Sequence, residues 1–216
     1  MRPKYKLANE RAYEVLFLNQ NISIPINPID IKLDNIKIKI FSLQEWSKMN
    51  NVSIKALTCN GKCEDGYTLF YKKGNKHYAF IFFNKDDGID RQRFTIAHEI
   101  GHIALGHKDL NNIANEKEAD TFASQLLLPH CILEELVRCG KKVSEEYLQK
   151  TFGLSKQAAN ISLQKVGKKI DKNATAEYED IIMIMFKDFI SKETINTKYH
   201  HYDDDEQMQN ERNTWY

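Results

Sequence analysis

The sequence predicts an α+β fold, with a small β-sheet in the first half of the chain and helices in the second half. Two runs rich in aromatic and β-branched residues, separated by a glycine-containing turn, predict strands before residue 85. Apolar residues at helical spacing predict helices over most of the chain that follows. Hydrophobic residues form 42% and charged residues 28% of the 216-residue chain, which are ordinary proportions for a globular protein.

The first elements are predicted to be a helix and an isolated strand. Residues 7–19 have apolar side chains at helical spacing and contain no proline. Pro25 and Pro28 then interrupt regular structure, because proline lacks the backbone N–H that helices and sheets use. Isoleucine alternates with lysine over residues 36–40, which is the pattern of a half-buried strand. Residues 42–57 are interpreted as a linker with a short helix.

A β-hairpin is predicted next. Residues 67–72 and 77–84 supply its strands, and the sequence KGNK between them is a favourable turn. The second strand, HYAFIFFN, is almost wholly apolar, which favours a central or covered position in the sheet. Asp90 is a candidate N-terminal cap for the helix that follows the hairpin.

Helices are predicted for the rest of the chain. One begins near residue 115, at Asn115 or Glu116, and ends at Pro129, which stops or kinks it. Residues 131–138 form a short amphipathic helix, and residues 176–192 form the last convincing one. The tail from about residue 197 is polar and acidic, and we expect it to be disordered.

The segment RFTIAHEIGHIALGH, from Arg93 to His107, contains an H-E-x-x-H motif. Residues four apart lie on the same face of a helix, so His98 and His102 can direct their imidazoles at one metal ion. Zn²⁺ binds histidine nitrogen readily, and a catalytic zinc site keeps one position for water. Glu99 can accept a proton from that water and pass it to a leaving amine. The motif therefore predicts zinc-assisted hydrolysis.

Two histidines leave a tetrahedral zinc site one protein ligand short, and the helix near residue 115 offers acidic candidates. Glu116 lies in its first turn, and Asp120 lies one turn later on the same face. Glu116 could bind the metal while Asp120 hydrogen-bonds a ligand imidazole. Glu118 is the competing candidate, but it lies about 200° round the helix from Glu116.

His107 is not predicted to be a ligand. A third-histidine site of the metzincin type has the motif H-E-x-x-H-x-x-G-x-x-H. In this sequence Lys108 occupies the position of the third histidine, and Leu105 occupies that of the glycine.

The two motifs together resemble the ImmA/IrrE family of metallopeptidases. They are RFTIAHEIGHIALGH and E-x-E-A-D-x-F-A-S-Q-L-L-L-P, the latter from Glu116 to Pro129. The resemblance extends more loosely over the N-terminal helix and the hairpin, and it ends near residue 167. It implies a zincin-like domain in which His98, His102 and Glu116 bind Zn²⁺ and Glu99 is the general base.

The same resemblance implies a regulatory function. Members of this family typically cleave helix-turn-helix repressors, often encoded nearby, and so derepress genes of mobile elements or stress operons. We therefore expect a bacterial or phage protease whose substrate is a separate repressor, since no such domain is expected before the catalytic region. A tyrosine or histidine usually supplies the oxyanion donor in zincins, and the ten tyrosines of this chain leave that donor open.

Residues 144–166 resemble a helix-turn-helix, with two helical stretches around Gly153 and Ser155 as the cap of the second. From Leu136 to Ile170 there are eight lysines or arginines and two acidic residues, which is compatible with phosphate contacts. A structural or substrate-docking role is favoured over DNA binding. The alternative function is a non-proteolytic, metal-containing regulator that binds protein or DNA through residues 136–170.

We divide the chain into a metallopeptidase domain (1–135), a helical, helix-turn-helix-like extension (136–170) and a last helix with its acidic tail (171–216). The net charge of +1 gives no sign of a nucleic-acid or membrane protein. The N-terminus lacks a signal peptide's apolar core, and no apolar run is long enough to span a bilayer. A cytoplasmic protein is therefore expected. The four cysteines match no familiar zinc module and are interpreted as isolated thiols.

Overall fold

The computed structural model describes residues 2–20, 22–58, 65–108, 112–166 and 176–195. It confirms the predicted α+β class, because a small three-stranded sheet accompanies a larger set of helices. In chain order the elements are α1 (Tyr5–Leu18), β1 (Ile36–Ser42), α2 (Leu43–Asn50), α3 (Ile54–Leu57), β2 (Gly66–Lys73), β3 (Lys76–Phe83), α4 (Ile89–Ala104), α5 (Ile113–Leu127), α6 (His130–Arg138), α7 (Glu145–Phe152), α8 (Lys156–Lys165) and α9 (Ala176–Met185). A single 3₁₀ turn at Pro28–Asp30 lies between α1 and β1.

The sheet has the strand order β1-β3-β2, so the apolar strand β3 is central, as predicted. Strand β1 runs parallel to β3, and β2 pairs with β3 as an antiparallel hairpin. No further strand pairs with β2 in the part of the chain that the structure describes. Thr68 and Ile81 face each other across the hairpin and are both buried. Because α4 contacts both β2 and β3, the edge strand β2 lies beside the helix with the H-E-x-x-H motif.

Helices α4 and α5 pack against each other, and α5 also packs against α1. Gly101 of α4 lies where the two ligand-bearing helices meet. A methyl group built on Gly101 would lie 3.0 Å from Phe122 Cδ1 and 3.2 Å from the Ala119 carbonyl oxygen. These separations are shorter than the usual 3.5–4.0 Å of carbon contacts, so glycine allows the close helix packing.

Two predicted helix starts need correction. Asp90 does not cap α4: the N-cap is Gly88, and Asp90 lies in the first turn, where its charge still favours the helix dipole. Helix α5 begins at Ile113, slightly earlier than predicted, because the Asn112 side chain accepts a hydrogen bond from the backbone N–H of Ala114.

The segment predicted to resemble a helix-turn-helix contains α7 and α8. Gly153 has a positive φ of 63° and ends α7, while the Ser155 hydroxyl caps α8 by accepting a hydrogen bond from the Ala158 N–H. The guanidinium of Arg93 on α4 donates hydrogen bonds to the carbonyls of Phe152 and Gly153, at 2.8 and 2.6 Å, and to that of Ile26 at 2.7 Å. Arg93 therefore fixes the α7–α8 turn against the metal-motif helix.

The C-terminal helical region is interrupted: residues 176–185 and 187–195 are helical, with a turn at residue 186. The second stretch is tied to the body by Glu193, which pairs with Lys141 at 2.9 Å and accepts a hydrogen bond from the Tyr147 hydroxyl at 2.8 Å. The predicted acidic tail lies outside the described residues, as do Cys59 and Cys63. Among the described residues, Cys131 and Cys139 take part in no disulfide. Within the described ranges, every helix is too short or too polar to cross a bilayer.

Candidate metal centre

Helix α4 places the two motif histidines one turn apart on its inner face. The Nε2 atoms of His98 and His102 lie 2.9 Å from each other. The side chain of His102 is only 2% exposed, and that of His98 is 17% exposed, because α5 and the sheet cover this face. Both imidazoles therefore present the same nitrogen to one point at the surface between α4 and α5.

Glu116 reaches that point from the first turn of α5. Its Oε2 atom lies 3.3 Å from Nε2 of His98, and its Oε1 atom lies 3.3 Å from Nε2 of His102. One donor atom from each of the three residues lies within 4.8 Å of the other two. The structure thus brings together the three predicted ligands from two helices that are neighbours in sequence and in space.

Asp120, one turn further along α5, holds His98 from behind. Its Oδ1 atom lies 2.9 Å from Nδ1 of His98. Burial on its own would lower the pKa of His98, but the hydrogen bond to Asp120 and the charges of Glu99, Asp120 and Glu116 raise it. An ionised carboxylate can only accept, so Nδ1 of His98 is the donor and Nε2 keeps its lone pair when the ring is neutral.

The donor set fits a divalent metal ion. Two imidazole nitrogens and a carboxylate converge without a lysine or arginine among them, so the charge and the lone pairs suit a cation. Glu116 is 42% exposed along its side chain, which leaves one side of the cluster open to the cleft. Three protein donors with an open side are the arrangement of a catalytic metal site rather than a closed structural one.

Glu99 lies beside the ligand cluster on the same turn of α4 and lines the cleft. The hydroxyl of Thr68 on β2 donates a hydrogen bond of 2.6 Å to Glu99 Oε2. Burial raises the pKa of Glu99, although this hydrogen bond opposes the shift. A carboxylate with a raised pKa is a stronger base, and Thr68 holds one of its oxygens in place.

His107 and Glu118 lie together behind His102 rather than among the ligands. Nδ1 of His107 is 3.0 Å from Nδ1 of His102, and Nε2 of His107 is 3.2 Å from Glu118 Oε2. Both side chains are buried. On the sequence alone, neither residue is favoured as a metal ligand. In the structure they reach the metal centre only indirectly, through Nδ1 of His102.

The centre opens into a cleft of about 950 Å³. One wall is formed by α4 and α5, and Asp65 and Gly66 at the start of β2 line its rim. The opposite wall comes from the α7–α8 turn and from α8, including Lys156 and Ile161. No tyrosine of the described residues lines this cleft, so the expected oxyanion donor has no tyrosine candidate there.

Several contacts at the site are not predicted from the sequence. Thr68 lies 31 residues before Glu99, and its partner depends on how the hairpin docks on α4. The bonds of Arg93 to the α7–α8 turn span about sixty residues. The sequence carries almost no signal for the Thr68 contact, because β2 does not alternate between buried and exposed residues. For Arg93 the only signal is its position on the apolar helix.

A buried helix that carries a histidine pair with a glutamate beside it, together with a carboxylate from the next helix as the third candidate ligand, defines a class of protein: a metallopeptidase domain. The sequence profile of Peptidase_M78, the IrrE N-terminal-like domain, matches residues 50–164, which include every residue of the centre described above. The chain belongs to the ImmA/IrrE family. No curated protein and no solved structure gives a significant match.

Proposed function

We propose that this protein is a zinc-dependent regulatory endopeptidase that cleaves a helix-turn-helix transcriptional repressor and so derepresses a mobile element or a stress operon. The proposal is based chiefly on the convergence of His98, His102 and Glu116 beside the buried carboxylate of Glu99. Two histidine nitrogens with one carboxylate are a ligand set that Zn²⁺ accepts in hydrolytic enzymes. Family membership supports the metallopeptidase class.

Glu99, Thr68 and Asp120 each have a separate role in the proposed peptide hydrolysis. A bound Zn²⁺ would lower the pKa of water and polarise the scissile carbonyl. Glu99 accepts the proton of the attacking water and returns it to the leaving amine, as its raised pKa favours. Thr68 holds Glu99 Oε2, so that Oε1 is available to the water. Asp120 holds His98 in the tautomer that leaves Nε2 as a ligand atom.

The substrate is proposed to bind as an extended strand along the edge of β2 that no other described strand occupies. Strand addition supplies main-chain hydrogen bonds that are independent of side-chain sequence. Asp65 and Gly66 line the cleft at the start of β2, so a peptide on this edge would lead directly to Glu99. Gly66 is also tightly placed, because a methyl group there would lie 2.6 Å from the Phe82 carbonyl oxygen.

Helix α8 is proposed to contact the substrate rather than DNA. Its residues Lys156 and Ile161 line the cleft, and the turn before it is fixed to α4 by Arg93. Because these side chains of α8 point into the cleft, they cannot at the same time contact the bases or phosphates of DNA bound on the other side of the helix. The basic side chains of α8 in the cleft, Lys156 and Lys165, would then favour acidic segments of the repressor. The protease is proposed to act in the cytoplasm.

The decisive experiment uses the purified full chain, its bound zinc and the repressors encoded beside its gene. The wild type and Glu99→Gln are incubated with each repressor, and the products are identified by mass spectrometry. Cleavage by the wild type, lost in Glu99→Gln while zinc is retained, supports the proposal. If neither protein cleaves a repressor and the wild type shifts operator DNA at moderate salt, the proposal fails in favour of a non-proteolytic regulator acting through residues 136–170.

A further inference from the structure

We propose that His107 is a positioning residue that, with Glu118, sets the tautomer of the ligand His102 through a buried chain of hydrogen bonds. The inference rests on the metal centre of the proposed function, but not on cleavage or on any particular substrate. It assigns a role to His107 and Glu118, which are neither metal ligands nor the general base in the proposed function.

The chain of hydrogen bonds runs from the metal centre to the N-terminal end of α1 in three links. His102 and His107 are joined through their Nδ1 atoms at 3.0 Å, and Nε2 of His107 lies 3.2 Å from Glu118 Oε2. The other oxygen of Glu118, Oε1, accepts the backbone N–H of Lys4 at 2.8 Å. The side chains of His102, His107 and Glu118 are 2%, 7% and 8% exposed, so water competes little for these bonds.

Hydrogen-bond chemistry allows only one metal-competent arrangement of the protons. A neutral imidazole has one N–H and one lone pair, and an ionised carboxylate can only accept. If Glu118 is the acceptor, Nε2 of His107 carries the hydrogen and its Nδ1 carries the lone pair. The Nδ1 of His102 must then donate to His107. Consequently the Nε2 of His102, which faces Glu116, keeps the lone pair that a metal ion needs.

The reverse arrangement blocks the site. If a donor replaced the carboxylate at position 118, Nε2 of His107 would accept, its Nδ1 would donate, and Nδ1 of His102 would become the acceptor. The hydrogen of His102 would then lie on Nε2, where it points at the other ligands. The carboxylate of Glu118 therefore selects between two proton arrangements, of which one accepts a metal ion.

The contact with Lys4 makes this selection testable by an isosteric change. In Glu118→Gln, the backbone N–H of Lys4 still needs the amide oxygen, which directs the amide NH₂ towards His107. The variant should then favour the blocking arrangement without a change of shape. In the double variant Lys4→Pro/Glu118→Gln the backbone donor is gone, so the amide can turn its oxygen towards His107. Lys4 is the N-cap of α1, so its backbone N–H belongs to no helical hydrogen bond and proline there removes only the bond to Glu118.

The test measures zinc affinity by competition with a chromophoric chelator and needs no substrate. Glu118→Gln should bind zinc roughly ten- to a hundredfold more weakly than the wild type, which is the usual effect of such outer partners. The double variant should recover most of this loss. Glu134→Gln is the matched control, since Glu134 faces His130 at 3.5 Å away from the cleft, and it should bind zinc as the wild type does.

A second readout separates positioning from packing. His107→Gln can accept from His102 and donate to Glu118, so it should retain more zinc affinity than His107→Leu, which can do neither. Long-range ¹H–¹⁵N spectra of the wild type should show hydrogen on Nδ1 of His102 and on Nε2 of His107. The idea is overturned if Glu118→Gln binds zinc at wild-type affinity, or if the spectra show the opposite tautomers. Weakened zinc binding in a protein that cleaves no repressor would retain this role and reject the proposed function.

Discussion

The Thr68 hydroxyl donates a 2.6 Å hydrogen bond to Glu99 Oε2 and thereby joins the edge strand of the sheet to the metal-motif helix. Both residues are buried, so the bond is made in a poorly hydrated environment, where hydrogen bonds to charged groups contribute most. The bond fixes the base relative to the strand on which we expect the substrate to lie. Strand β2 would thus position both the general base, Glu99, and the substrate peptide.

Thr68→Val is predicted to slow cleavage without loss of zinc. The variant keeps the shape of the side chain but removes the donor, and a hydrogen bond to a charged group contributes about 1.5–3 kcal/mol, or roughly a ten- to hundredfold change in rate. Turnover of a repressor at saturating enzyme measures the effect. Thr68→Ser retains the hydroxyl and should stay within a few-fold of the wild type, so equal defects in the two variants would contradict the assignment.

Gly101→Ala is predicted to destabilise the fold, although alanine is the better helix former. The helix propensity would gain about 1 kcal/mol. The contacts with Phe122 and the Ala119 carbonyl would cost about 1–3 kcal/mol as overpacking in a close interface. Urea unfolding of the metal-free protein should show a net loss of about 1 kcal/mol.

Relief of the contact provides the control for Gly101→Ala. Phe122→Leu shortens the side chain that the new methyl group meets, so the double variant should be more stable than the sum of the single effects predicts. Strict additivity would show that the α4–α5 contact is not the cause of the loss.

Gly153→Ala is predicted to be more destabilising than Gly74→Ala. Both glycines have a positive φ, of 63° and 60°, so both substitutions incur the left-handed strain of about 1–2 kcal/mol. A methyl group on Gly153 would also collide with the guanidinium of Arg93, whereas Gly74 has nothing within 4 Å. We expect a difference of about 1–2 kcal/mol in the free energy of unfolding. Equal losses would mean that the Arg93 bonds to the turn contribute little.

His130 is predicted to make the protein acid-sensitive. Burial lowers the pKa of His130 below its ordinary value, so the folded state resists a proton that the unfolded chain accepts. Its contribution is complete above the unfolded pKa of about 6.5 and declines as the pH falls through that value towards the lower folded pKa. The free energy of unfolding should therefore fall less steeply between pH 7 and pH 5 in His130→Gln. Parallel curves for the two proteins would exclude His130 as the cause.

Local patterns predict the elements that present the metal centre. The period of two identifies β1, aromatic and β-branched runs on both sides of a glycine-containing turn identify the hairpin, and the apolar content of β3 predicts its central position. Spacing of four residues predicts that His98 and His102 share a face of α4, and that Glu116 and Asp120 share a face of α5. The structure places all four together, because side-chain direction on a helix follows from position alone.

Contacts between distant segments are beyond such patterns. Thr68 meets Glu99 only because the hairpin docks on α4, and Glu118 meets His107 only because α4 and α5 pack side by side with His107 beside His102. The prediction that Asp90 caps α4 is wrong, since the chain reaches the helix through Gly88 instead. Each of these depends on tertiary packing, which a local preference does not encode.

The walls of the cleft also restrict the physical state in which a substrate can arrive. With α4 and α5 on one side and the α7–α8 turn and α8 on the other, the space of about 950 Å³ holds a few residues of extended chain, and a folded helical domain is far larger. A repressor would have to release a segment from its own fold before that segment could reach Glu99. Rates of cleavage would then follow the free energy of local opening in the repressor, so that a ligand or a stress that loosens the repressor could trigger its destruction without any change in the protease.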